Sequence, residues 1–462
     1  MIGGLRKARP YLLASTIAIG LLASGGSVAK AASVEQLEAA MQAMQTQMRS
    51  LQRQVDEAKA EASAARAAAK SGGGDDLDLK VKWKGAPELS SKDGKFKFKI
   101  LGRVQADVVS ADQDKAITGA SNISATEIRQ GRLGIEGVVF SDVKYRFEVG
   151  FANNRTAITD AYLTYTGLPV DISLGHFKTY NSLEELTSAR FITFMERAAF
   201  TDAFALRRQI GAGLDIKRDH WTFAAGAFGA NIGDIASPAG DEGLTFASRI
   251  TAAPINNGHH VLHFGGSVRH RDNGSQLPLY RYRQRAADFH LTDAFVDTGF
   301  IGKADTFWGA EFAWVWGPFS IQGEYAQNQV DVPVSIAKVD PTYDGYYLSG
   351  SWYLTGESRT YNKGAFSRPK VKRPVNEGGP GAWQIAARYD VVDLSDKSAA
   401  IAAGGLVSCA ECGEQKTWLL GVNWWLNDYT RLTFNYAQSD ISGGVNNGAT
   451  IQGAGLRAQV DW

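Results

Sequence analysis

Two periodicities divide the chain. From Val34 the apolar or small positions recur at alternating steps of three and four: Val34, Leu37, Met41, Met44, Met48, Leu51, Val55, Ala58, Ala62, Ala65 and Ala69. Gln, Glu, Lys and Arg fill most of the remaining places. Five unbroken heptads of this kind predict an α-helical coiled coil over residues 32–70. Ser71-Gly72-Gly73-Gly74-Asp75-Asp76 then ends the helix, and residues 71–94 read as a flexible linker.

From Lys95 the period becomes two. Phe96, Phe98, Ile100, Val104, Ala106 and Val108 share one face, while Lys95, Lys97, Lys99, Arg103, Gln105 and Asp107 lie on the other. The same rule returns in Val143–Val149, Trp308–Trp316, Phe319–Tyr325 and Leu432–Tyr436. Segments of about ten residues, apolar outside and charged inside, are the pattern of a transmembrane β-barrel with a wet interior. A soluble sandwich also alternates, but connection length separates the two readings. Tight turns (Ser141-Asp142, Arg218-Asp219, Gly317-Pro318, Asn427-Asp428) alternate with long connections (Ser110–Ser124, Tyr180–Ala205, Gly229–Gly243, Asp331–Asp344, Leu394–Lys416). Outer-membrane barrels show this difference between periplasmic turns and external loops. Leu456, Ala458, Val460 and the terminal Trp462 complete the last alternating strand.

Seventeen candidate strands are present if Tyr280–His290 is included, and a single-chain bacterial barrel has an even number. The segment Tyr280-Arg281-Tyr282-Arg283-Gln284-Arg285 is the one to remove. Its second face (Tyr280, Tyr282, Gln284) is poor lipid-facing material, and it lies inside the connection between two good strands. The expectation is an all-β fold, a sixteen-stranded antiparallel transmembrane barrel over residues 95–462 with Leu279–His290 in a loop. Arg281, Arg283 and Arg285 then form one column about 6–7 Å apart. Such a column either sits in water or makes a track for anions.

Composition adjusts this picture at three points. Met1–Ala31 has Arg6, Lys7 and Arg9 ahead of the apolar stretch Tyr11–Leu22 and ends on Ala29-Lys30-Ala31, which reads as a cleaved signal peptide. Its removal turns the formal charge from +1 to −3, leaving 45 basic against 48 acidic residues, so any anion preference must come from local placement. The two cysteines, Cys409 and Cys412, read as a local disulfide in an outer loop. Seven scattered histidines make no Ser/His/Asp set and no metal pattern. No enzyme activity, cofactor or nucleic-acid partner is expected.

The chain resembles the phosphate-selective porins of the O/P type, trimeric outer-membrane anion channels. The matching motifs include Leu101-Gly102-Arg103-Val104-Gln105-Ala106-Asp107, Asp160-Ala161-Tyr162-Leu163-Thr164-Tyr165-Thr166-Gly167, Gly175-His176-Phe177, Glu196-Arg197, the Arg-x-Arg-x-Arg run, Asp297-Thr298-Gly299 and Gly317-Pro318-Phe319-Ser320. The resemblance covers roughly residues 95–462. It implies a homotrimer in outer-membrane lipid that passes phosphate-like anions, with Arg281, Arg283 and Arg285 as a ladder that Arg269 and Arg271 extend. It implies a constriction built around Arg197 and Arg129, with Arg132 and Lys178 at positions that are tyrosine in the phosphate channel. Gln130 replaces a second constriction arginine, and Glu185 replaces a constriction lysine. Arg129 lies on the wrong phase of its strand and needs a bulge to reach the lumen. Lys363, Lys370 and Lys372, in the long periplasmic connection, are expected to form a basic exit vestibule. The alternatives are a general or solute-specific porin of the same fold, and an envelope-tethering protein whose periplasmic coiled coil contacts the cell wall.

Overall fold

The computed structural model describes residues 79–83, 85–234, 240–275, 278–334, 340–396 and 411–462, with helical residues scattered between 42 and 63 before them. The chain divides into two units, residues 1–76 and 77–462. In the first, the described residues are helical and exposed, in agreement with a helix rather than a strand. The signal peptide, most of the heptad seam, residues 71–78 and Cys409 lie outside the described residues.

In the second unit, β1 (Lys80–Trp83) and β2 (Pro87–Ser90) form a small hairpin. Sixteen strands among the described residues then build the wall: β3 (Lys97–Asp112), β4 (Ile123–Val139), β5 (Val143–Gly150), β6 (Ala157–Tyr165), β7 (Asp171–Lys178), β8 (Arg208–Lys217), β9 (Trp221–Phe228), β10 (Thr245–Asn256), β11 (His260–Asp272), β14 (Ala304–Trp316), β15 (Phe319–Asp331), β16 (Thr342–Tyr353), β19 (Ala382–Ser395), β20 (Glu411–Asn427), β21 (Thr430–Ser442) and β22 (Thr450–Asp461). Each pairs antiparallel with the next, and β22 pairs with β3 through Asp461↔Arg103 to Gln452↔Asp112, which closes the barrel. Closure leaves no exposed edge, so the wall's backbone groups are satisfied without water.

The period-two pattern sorts the side chains as expected. On β15, Phe319, Ile321 and Tyr325 are exposed, while Ser320, Gln322 and Glu324 are buried in the interior. Aromatic rings stack outward near the tight-turn end, with Phe319 and Trp352 at 5.3 Å and Trp383 and Trp424 at 5.0 Å, where a membrane interface favours them. The seam carries a matched pair: a Cβ on Gly102 would meet the Trp462 ring at 1.8 Å, so the missing side chain is what lets the terminal indole lie across β3.

Two expectations change. Residues 80–90, assigned to a flexible linker, are the β1–β2 hairpin, and β2 continues onto β3 through Glu88↔Lys99. The alternation Leu79, Val81, Trp83 against Lys80, Lys82 carried that signal in a run too short to stand out. The arginine segment is outside the wall, as the even count requires. It is nevertheless a strand, β12 (Tyr280–Arg285), paired with β13 (Ala294–Gly302) inside the connection between β11 and β14.

Candidate functional site

Three connections fold into the barrel and define what space remains. The first, residues 179–207, is apolar enough to bury itself: Leu183, Ile192, Phe194, Met195, Phe200 and Phe204 are all excluded from solvent. Phe200 lies against the rings of Phe307 on β14 and Tyr347 on β16, at 6.4 and 6.2 Å. Gly345 makes room for it, since a Cβ there would meet the Phe200 Cβ at 2.5 Å. Lumen-facing polar side chains take up the loop's backbone groups. Asn435 accepts from the Met195 N–H and Asp390 from the Ala199 N–H, both at 2.8 Å, while Arg431 donates to the Ile192 carbonyl at 2.7 Å. These bonds satisfy backbone groups that the infolded segment would otherwise leave unpaired inside the wall.

The second is the β12–β13 ribbon with the turn Ala286–Asp288. Its buried face holds Tyr282, whose hydroxyl donates to Asp305 at 2.7 Å, and the Ala287 N–H donates to Ser439 Oγ at 2.7 Å. Those contacts put the opposite face of β12, with Arg281 and Arg283, away from the wall and exposed, with Arg285 half-buried. Arg281 is bound to Asp297, with Nε–Oδ1 at 2.7 Å. Among the described residues neither Arg283 nor Arg285 forms an ion pair. Arg269 and Arg271 do not stand in line with this column. They are buried behind the ribbon on Asp305, at 3.1 and 2.6 Å, and Arg271 lies under the Tyr280 ring at 4.0 Å. A shared strand face put them in the lumen, but the ribbon covers that part of the lumen.

The third connection, residues 354–381, enters from the tight-turn end. Its hairpin β17 (Thr360–Asn362) and β18 (Ala365–Ser367) reaches the first loop, where the Phe366 N–H donates to Thr187 Oγ1 at 3.3 Å. Arg359 stacks on Phe366 at 3.5 Å and donates to Gln322 at 2.9 Å, and Arg249 donates to the Gly364 carbonyl at 2.8 Å. Of the three lysines assigned here, Lys363 borders the interior cavity, whereas Lys370 and Lys372 are exposed and do not line it.

A cavity of about 690 Å³ remains beside β3–β9, bordered by 13 lysines and arginines against five acids. Arg132, Lys178 and Arg197 border it. Arg129 is the extra residue of a β-bulge, since Gln105 pairs with Gln130 and Ala106 with Ile128. The bulge turns its guanidinium inward to grip Glu196 of the first loop through two bonds of 2.8 Å. Arg129 therefore reaches the lumen but is occupied by a carboxylate. Arg132 and Arg146 share Glu148, at 2.8 and 2.9 Å, and Arg208 takes Asp160 at 3.0 Å. Arg197 and Lys178 converge on Glu185, at 3.0 and 3.2 Å. Burial would raise the Glu185 carboxyl, but the cations of Arg197 and Lys178 outweigh it and hold it below its ordinary value. Asp288 on the ribbon is pushed up by burial, although Arg388 sits 2.8 Å away.

Arg103, Arg146, Arg190, Arg208 and Arg249 also border the cavity and were not singled out from the sequence. Arg103 and Arg146 lie on the polar phase of their strands, which was the available signal. Arg190 and Arg249 depend on where the infolded segments run. The cysteine expectation is half visible: Cys412 is buried and disulfide-bonded, while its proposed partner Cys409 is outside the described residues.

Comparison with known proteins adds to this geometry. A family described as phosphate-selective porin O and P matches residues 98–462. Porin O of Pseudomonas aeruginosa is 29% identical over 415 residues, covering 84% of this chain and 93% of that one. An uncharacterised protein of Caulobacter vibrioides is 31% identical over 401 residues, covering 83% of this chain and 77% of that one. Among solved structures, an anion-selective porin from Comamonas acidovorans superposes with a TM-score of 0.51 at 13% identity, over 79% of this chain and 100% of its own. OprB of Pseudomonas putida superposes with a TM-score of 0.52 at 10% identity, over 79% of this chain and 94% of its own. At those identities the two structures speak for the barrel fold alone.

Proposed function

The chain belongs to the phosphate-selective porin O and P family, and from that membership we propose that its outer-membrane barrel is a passive channel for anions, phosphate and related oxyanions among them. The observation that carries this reading is the charge around the cavity: 13 basic side chains against five acids, in a chain of formal net charge only +1. A cleft of one sign with low-dielectric walls concentrates ions of the other sign and raises their entry rate. Arg281, Arg283 and Arg285 serve as the approach, a column at strand spacing that hands an anion from one fork to the next. Arginine suits this role because it stays charged and meets two oxyanion oxygens at once. Arg132, Lys178 and Arg197 mark the narrow part, Arg129 positions the first loop there, and Lys363 marks the exit. The working unit is a homotrimer in outer-membrane lipid, with the coiled coil on the periplasmic side.

Recording from the purified protein in planar bilayers tests the proposal. In a KCl gradient the reversal potential is expected to show anion preference. Replacing Arg281, Arg283 and Arg285 together by alanine is expected to lower chloride conductance at low salt roughly two- to tenfold, with the difference shrinking at high salt as the field is screened. Cation preference, or indifference to the triple substitution at low salt, would sink the anion track.

A further inference from the structure

The acids that neutralise the wall cations mostly come from the wall itself, as Glu148 and Asp160 do. Glu185, like Glu196, is delivered by an infolded loop, but the cations it meets, Lys178 and Arg197, border the cavity. It lies on the single turn Leu183–Leu186, whose start is fixed at three points. Glu324 accepts from the Leu183 and Glu184 N–H groups at 3.0 and 2.8 Å, and Ser182 Oγ accepts from the Glu185 N–H at 3.1 Å. So held, each carboxylate oxygen takes a different cation. Oε1 is 3.2 Å from Lys178 Nζ and Oε2 is 3.0 Å from Arg197 Nε. One cation comes from strand β7 and the other from the loop, and both border the cavity. Arg197 is further fixed by donating to the carbonyls of Glu184 and Thr187, at 3.0 and 2.9 Å. Two preorganised cations converging on one anionic group are the arrangement that captures an oxyanion, and here the captured oxyanion is part of the protein.

We propose that Glu185 is the specificity-determining residue of this pore, an internal counter-anion that occupies the oxyanion position between Lys178 and Arg197 and keeps dissolved phosphate weakly held. The inference rests on the anion-channel reading. A channel needs binding strong enough to admit an ion and weak enough to release it. With Glu185 ionised, an entering anion meets a cation pair already reduced by one charge, and it must share that pair with a carboxylate that cannot diffuse away. Without it, the two cations keep their bonds to the loop carbonyls, Lys178 and Arg197 both reaching that of Thr187, but have no carboxylate to neutralise them, so their charge is left to attract phosphate.

The test is phosphate block of chloride current through the full-length protein in planar bilayers. Glu185→Gln keeps the side chain's size and removes its charge. It is expected to lower the inorganic phosphate concentration for half-block roughly tenfold relative to the unmodified protein, while Glu185→Asp restores the original value. An unchanged half-block in Glu185→Gln overturns the proposal. So does weaker block accompanied by loss of open conductance, which marks Glu185 as a loop support. Should the glutamine variant fail to assemble, Glu185→Ser gives the comparison with formate. Formate filling the vacated position is expected to relieve block by phosphate, and no effect of formate overturns the proposal. The reversal potential of the unmodified protein is read separately: cation preference there removes the anion-channel reading itself, whatever the variants do.

Discussion

Glu196 ties the first loop to the wall by joining two arginines, Arg129 from the bulge and Arg457 from β22, the latter at 2.7 Å. Burial alone would raise its carboxyl, but the two guanidinium groups outweigh that effect and hold it below the usual carboxylate range. A depressed value in the folded state contributes stability that is fully present above the ordinary value of 4.5 and is lost as pH falls through the lower folded value. Asp202, in the same loop, runs the other way. Burial, then the nearby charge of Glu196, raises it, so its contribution favours low pH and is lost as pH rises through its raised value. The clasp therefore belongs to Glu196. Loop-closure events in bilayer recordings are expected to become more frequent as pH falls below about 4.5. Glu196→Gln is expected to show that frequency already at neutral pH and to flatten the dependence in that window. At this scale the phase of alternation told which side chains face inward, as for Arg103 and Arg132, and even that Arg129 required a bulge. It did not tell which acid each would meet, because an acid such as Glu196 reaches Arg129 and Arg457 from an infolded loop distant from both in sequence.

Elements were more legible than pairs of residues because a period of two is a local property. The strands, their turns and the exclusion of Tyr280–Arg285 from the wall all followed from alternation and an even count. The ribbon that β12 forms with β13 did not, since alternation says nothing about which strand a segment will pair with. Nor did it reveal that the ribbon would cover Arg269 and Arg271. The barrel's closure offers a test at this scale. Gly102 and Trp462 exchange backbone bonds, with Trp462 N–H donating to the Gly102 carbonyl at 3.0 Å, and the indole occupies the place a side chain on residue 102 would take. Gly102→Val is expected to displace the terminal indole from β3 and loosen the β22–β3 seam. The readout is the fraction of protein that keeps the fast mobility of a folded barrel on an unheated detergent gel, and a large fall is expected. Shortening Trp462 to alanine in the valine background is expected to recover part of it, because the clash is with the ring. Equal folding of Gly102→Val and the parent would show that the seam does not depend on this fit.

At the scale of the whole molecule, net charge says little about the pore, since a chain of formal charge +1 borders its cavity with 13 basic side chains against five acids. The contacts described around the cavity link parts of the barrel: the bulge to the first loop, the ribbon to β14 and β21, and the third connection to Thr187 and Gln322. The heptad positions turn from Val, Leu and Met to alanine after Val55, which lowers the apolar area a helix over this segment could bury on a partner. Such a helix gives modest association by itself and fits a segment that holds neighbouring copies in register or contacts the cell wall. Removing residues 32–70 while keeping the signal peptide is therefore expected to leave single-channel conductance and anion preference unchanged. Chemical cross-linking then separates the remaining roles. A loss of trimer assigns the coil to assembly, whereas intact trimers with increased shedding of outer-membrane vesicles assign it to tethering. A change in conductance with trimers intact would overturn this expectation.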